Sequence, residues 1–154
     1  MVNIGIVGVG RISAKHIRGI YEAGNAAIAA ICDIDTERLH TVGEQLGIPA
    51  SHRFIDYNDL IACADVDAVE VCTPNHLHVP IALAAARAGK HVQVEKPLGL
   101  CAEQEGITEL LRTVEEKKLV NMMDFSYRFK DAVRYAKEFL RQGKLGKLLN
   151  VNIE

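Results

Sequence analysis

The stretch GIVGVGRISAKHI (5–17) joins a β-branched apolar run to a helical pattern through two closely spaced glycines. The run begins at Val2 as VNIGIVG (2–8), short, apolar and stopped by glycine, the signature of a buried strand. Helical spacing continues over 11–23 and is closed by Gly24-Asn25. A buried strand that passes through a glycine turn straight into a helix is the opening of a strand–helix–strand unit.

The rest of the chain repeats that alternation. AAIAAICDID (26–35) is a second apolar run ending in acid, and TERLHTVGEQLG (36–47) follows as a helix with Thr36 as the expected N-cap and Gly47 as its stop. SHRFID (51–56) predicts a weaker strand and YNDLIAC (57–63) a short helix. VDAVEVCTP (66–74) is a strand broken by Pro74, and Pro80 suits the first turn of the helix that Gly89 ends. KHVQVEKP (90–97) is a fifth strand. A helix is expected over 101–118, with Ile107, Leu110, Leu111 and Val114 on one face and Gly106 weakening it by roughly 1 kcal/mol. LVNMMDF (119–125) gives a sixth strand and 130–142 an amphipathic helix. Strands separated by helices require crossovers, so the fold class is α/β, a doubly wound parallel sheet of Rossmann-like type.

The last stretch, QGKLGKLLNVNIE (142–154), turns through two glycines into a new strand-like run. A terminal strand needs a partner: it could add to the edge of the same sheet, but it is expected to be the first strand of a second α/β domain that this chain lacks. The expected organisation is a dinucleotide-binding domain over 1–125, with an interdomain helix and the start of a truncated substrate domain over 126–154.

Composition narrows the function classes. With 154 residues, 49% hydrophobic, and 18 Lys+Arg against 20 Asp+Glu, the chain can bury a core and carries a formal net charge of −2. That balance, free of long like-charge runs, gives no nucleic-acid patch and no membrane anchor. No apolar run reaches the length of a bilayer span. The cysteines Cys32, Cys63, Cys72 and Cys101 form no CxxC pair, which fits a reduced, cytoplasmic protein.

Gly8-Val9-Gly10 occupies the place of a phosphate loop: the first glycine permits a tight turn, and the second lets backbone approach a pyrophosphate at the helix N-terminus. Ser13 stands where a third glycine is usual. Asp33 ends the second strand about twenty residues further on, where a carboxylate accepts hydrogen bonds from an adenosine ribose and repels a 2′-phosphate. NAD is therefore expected over NADP, although Arg38 on the next helix could approach.

Read together with VCTPNHLH (71–78), AGKHVQVEKPLG (88–99) and FSYRF (125–129), the chain resembles the Gfo/Idh/MocA oxidoreductases, the family of glucose–fructose oxidoreductase and inositol dehydrogenase. The resemblance implies that Gly8, Gly10, Arg11 and Ile12 contact the cofactor diphosphate and that Asp33 meets the adenosine ribose. It implies that Thr73, Pro74, Asn75 and His78 line the cleft near the middle of the dinucleotide. Glu95 and Lys96 would lie beside the nicotinamide ribose and the substrate, with Lys96–Pro97 often cis. The substrate implied is a sugar, cyclitol or related polyol, with Lys96 as the catalytic residue that holds its hydroxyl and Glu95 holding Lys96. Family members carry a further carboxylate and histidine on a second domain. None of the six histidines here fills that role by position, so the chain alone is expected to be silent and to work within a homo-oligomer of the full-length protein.

Other readings remain at this level. A non-catalytic module that senses NAD or dimerises needs no lysine in the crevice, and an NADP-linked biosynthetic dehydrogenase shares such a first domain. Cys72, His76, His78 and His91 could be imagined as a zinc site, but no metal is expected. His16, beside the glycine loop, is expected to make a structural hydrogen bond.

Overall fold

The structure, a computed structural model, describes residues 1–150. It divides into two compact units, Met1–Asp124 and Phe125–Glu154. The first holds strands β1 (Val2–Val7), β2 (Ala26–Cys32), β3 (Arg53–Phe54), β4 (Ala68–Val71), β5 (His91–Glu95) and β6 (Asn121–Asp124). Between them run helices α1 (Ser13–Ala23), α2 (Thr36–Leu46), α3 (Tyr57–Ala62), α4 (His78–Arg87) and α5 (Ile107–Glu116). The second unit carries α6 (Asp131–Arg141) after a 3₁₀ turn over Ser126–Phe129. Within it Tyr135 stacks on Phe139 at 6.1 Å.

All six strands pair in parallel in the order β3-β2-β1-β4-β5-β6, one doubly wound sheet as expected. The chain adds strands on one side of β1 and then crosses to the other. The reversal between β1 and β4 opens a crevice at the strands' carboxyl ends.

Period-two alternation assigns the faces. Val69 and Val71 of β4 and Val92 and Val94 of β5 pack with Leu60, Ile81, Leu110 and Val114 from α3, α4 and α5. Ile6 and Ile31 point the other way, and a register shift that skips Ala29 brings Ile28 to the same side, into a second core with Ile20 of α1 and Leu39 of α2. Beside that second core the alternation turns polar, since Glu70 and Glu95 are the residues between or after those valines.

Two local expectations are corrected. Asp35, not Thr36, caps α2: its Oδ1 accepts a hydrogen bond from the Arg38 amide at 3.0 Å, as an acid one residue before the first turn does. The helix expected over 101–118 begins only at Ile107. Gly106 adopts φ +90° at its N-cap, a conformation glycine takes without steric cost, so it sets the helix start rather than weakening its body. Leu111 leaves the apolar face and is exposed, while Leu110 and Val114 are buried. The strand expected at the end of 142–154 lies outside the described residues.

Candidate functional site

The β1 turn meets the end of β4. Gly8 holds φ +89°, and a Cβ there would come within 2.8 Å of the Cys72 carbonyl oxygen. Its amide donates to Cys32 O at 2.8 Å, so the turn is laced to both neighbouring strands. At Gly10, by contrast, a Cβ would meet nothing within 4 Å. Gly8 thus makes the turn, and Gly10 leaves open space beside its backbone. Ser13, in the third glycine's place, is 1% exposed and donates to Gly10 O at 2.7 Å, bracing the loop against α1.

Around this turn lies a cavity of about 500 Å³. Gly8, Gly10, Arg11 and Ile12 line it from the first loop, Asp33 and Arg38 from the second, and Thr73 and Pro74 from the third. Ile34 and Ile55, 87% and 59% exposed, add an apolar wall that the sequence reading missed. The signal was present: an isoleucine directly after a strand-end acid, where a polar residue is usual.

Asp33 is buried and well held. Its Oδ2 accepts from the Val9 amide at 2.9 Å and its Oδ1 from the Asp35 amide at 2.9 Å. Arg38 reaches it as well, with Nη1 3.3 Å from both oxygens, while Nη2 pairs with Asp35 at 2.9 Å. Cys32 and Cys72 also line the cavity, but burial pushes both thiols up, Cys32 to about 12, and neither is a nucleophile near neutral pH.

Four expected site residues do not line the cavity: Asn75, His78, Glu95 and Lys96. Asn75 opens an exposed 3₁₀ turn, Asn75–Leu77. His78, at 1% exposure, lies behind the cleft rather than along it. Its Nδ1 is 2.7 Å from Pro97 O and its Nε2 2.8 Å from Thr73 O, so it ties the third loop to the turn after β5. That turn carries Lys96, exposed, ahead of a cis Lys96–Pro97 bond. Glu95 is buried, and its Oε2 accepts from the Lys96 amide at 2.9 Å. The imagined zinc set does not assemble, because among the described residues Cys72 groups instead with His16 and Glu70.

His16 proves to be a hub. Its Nδ1 stands 3.0 Å from Glu70 Oε1, an ion-pair contact rather than an aligned hydrogen bond, and its Nε2 3.1 Å from Glu95 Oε1. With the side chain only 7% exposed, contacts with the Cys72 sulfur first and the Glu70 carboxylate second raise its pKa from 6.5 to about 11. A raised pKa contributes stability in full below pH 6.5, and that contribution fades as pH climbs toward 11. His16→Gln is therefore expected to cost on the order of 3 kcal/mol near pH 6, with a clearly smaller deficit near pH 10, in urea unfolding at the two pH values. An equal deficit at both would contradict a charged ring.

The cavity fits a dinucleotide. Its glycine loop opens at the N-terminus of α1, its far end holds a buried carboxylate, and Thr73 Oγ1 in its wall is buried without a hydrogen-bond partner. A phosphate on those amides, a ribose at Asp33 and a polar group at Thr73 match that donor set. Fold and site together define a nucleotide-binding domain of Rossmann type.

Similarity to known proteins gives the family. A family model described as "Oxidoreductase family, NAD-binding Rossmann fold" (GFO_IDH_MocA) matches residues 2–125, and the chain belongs to this family. It is 33% identical to a myo-inositol 2-dehydrogenase of Thermotoga maritima over 149 residues, 95% of this chain and 42% of that protein. It is 38% identical to a levoglucosan dehydrogenase of Pseudarthrobacter phenanthrenivorans over 112 residues, 69% of this chain and 28% of that protein. Among solved structures, scyllo-inositol dehydrogenase from Lactobacillus casei with bound NAD(H) and scyllo-inositol superposes with a TM-score of 0.86 at 34% identity, over 96% of this chain and 43% of that one. The chain spans less than half the length of these relatives.

Proposed function

We propose that this chain is the cofactor-binding part of an oxidoreductase that moves a hydride between NAD and a hydroxyl carbon of a sugar, cyclitol or related polyol. The observation that carries the reading is the meeting of three strand-end loops around one cavity at the sheet's reversal point, with Asp33 at one end and the unpartnered Thr73 hydroxyl in its wall. The names of the relatives, inositol and levoglucosan dehydrogenases, support the substrate class.

NAD, when bound, supplies the hydride acceptor. The chain's own residues bind and orient. Amides of the Gly8–Ile12 turn receive the diphosphate, Ile34 and Ile55 receive the flat base, and Asp33 receives the ribose hydroxyls. Lys96, on the turn that ends β5, holds the substrate hydroxyl and stabilises the negative charge that grows on its oxygen as the hydride leaves. In this reading 126–154 leads into a substrate domain that supplies the acid/base pair. The whole protein works as a cytoplasmic homo-oligomer, a setting that four free cysteines suit.

Calorimetric titration of the chain with NAD and, separately, NADP tests the cofactor assignment. NAD is expected to bind more tightly, and Asp33→Ala to weaken it by about tenfold, the loss of hydrogen bonds to a charged group. Tighter NADP binding would overturn the preference and identify Arg38, already at the cavity wall, as the group that meets a 2′-phosphate.

A further inference from the structure

His16 lies on α1, whose N-terminus faces the cavity, but its partners lie on the far half of the sheet. Glu70 comes from β4, Cys72 from the segment after it, Glu95 from β5 and Asp124, 3.8 Å from Nε2, from β6. The contact with Glu95 joins the phosphate-loop helix to the last residue of β5, next to Lys96. Glu95 is the link: one oxygen faces His16 Nε2 at 3.1 Å and the other accepts the Lys96 amide at 2.9 Å. With both oxygens engaged and 7% of the residue exposed, the carboxylate has little room to rotate and little water competes for it. Helix, imidazole, carboxylate and backbone amide form one continuous polar connection.

We propose that His16 is a positioning residue that couples occupancy of the phosphate loop to the placement of Lys96 through Glu95. A diphosphate drawn onto the N-terminus of α1 loads that helix, and the His16–Glu95 contact passes the load to the turn after β5. His78 anchors the far side of the same turn at Pro97 O, so movement at Glu95 is expressed at Lys96. The proposal rests on the reading of the Gly8–Ile12 turn as a diphosphate site and of Lys96 as the group that meets substrate.

ADP is the probe, because it fills the phosphate end and brings no nicotinamide near Lys96. In the ¹⁵N-labelled chain, ADP should shift the amide resonances of Gly8 and Gly10 and, through the connection, that of Lys96. In His16→Ala the Lys96 shift should fall below about a third of its wild-type size with ADP affinity kept within about threefold, and His16→Gln, whose amide can still donate to Glu95, should restore most of it. Glycine shifts without any Lys96 shift in the wild type would overturn the coupling while leaving the phosphate loop intact. An undiminished Lys96 shift in both variants would also overturn it, by removing His16 from the path. No shift at either glycine would refute the phosphate-loop reading and the coupling with it. If His16→Ala fails to fold, His16→Leu, which fills a similar volume and donates nothing to Glu95, takes its place, and an undiminished Lys96 shift there would overturn the coupling in the same way.

Discussion

Lys96→Met in the intact protein is expected to lower polyol-dependent NADH formation by about 10²- to 10⁴-fold, the span of a lost proton-transferring or oxyanion-stabilising group. NAD affinity should stay nearly unchanged, because Lys96 does not line the cavity that the glycine loop opens. Methionine keeps the length of the stem and removes the charge and the donors. The fold should tolerate it: Lys96 is exposed, and what holds its position is the backbone amide on Glu95, which any residue supplies. Steady-state kinetics with a calorimetric control separate the two effects. Unchanged turnover would remove Lys96 from the chemistry.

Gly8→Ala and Gly10→Ala should part company just as sharply. At position 8 an alanine would hold φ near +89° and press its Cβ to 2.8 Å from backbone, which no side-chain rotation relieves. Strain and overpacking together should cost about 2–4 kcal/mol in urea unfolding. At position 10 the added methyl meets no protein atom, and φ lies outside the left-handed region, so stability should change by less than about 1 kcal/mol. Yet that methyl stands where a pyrophosphate would approach the chain, and NAD binding should weaken at least about tenfold. If Gly10→Ala binds NAD as the wild type does, the dinucleotide does not lie on this loop. If Gly8→Ala keeps full stability, the turn is looser than its contact with Cys72 implies.

The succession of strands and helices along the chain was legible because it follows from local pattern. VNIGIVG, AAIAAICD and HVQVE each carry the short apolar run closed by a glycine or acid that marks a buried parallel strand. Helix ends were less legible. Asp35 and Thr36 are both good caps, and only the carboxylate's contact with the Arg38 amide separates them. Gly106 could not be placed from sequence, since glycine inside a helix and glycine before one look alike until φ is known. The site divided the same way. Gly8, Gly10 and Asp33 announce themselves by position along the chain. The work of His16 and His78 does not, because it depends on partners brought close by the sheet: Glu70 and Glu95 for one, Thr73 and Pro97 for the other. Ionisable residues on a strand face are invisible as a network until the register of β4, β5 and β6 sets them side by side.

The reversal between β1 and β4 also has a consequence for biosynthesis. A chain leaving the ribosome at about 5–20 residues per second can pair β1 with β2 early, since Val2 needs only Ala26. It cannot seat β1 against β4 until Ala68–Val71 has emerged, and the wall formed by Thr73 and Pro74 comes later still. During that interval the glycine turn stands without one of its two flanks. The first half of the domain therefore emerges with its glycine turn walled on one side only, and the sheet closes around its central strand later.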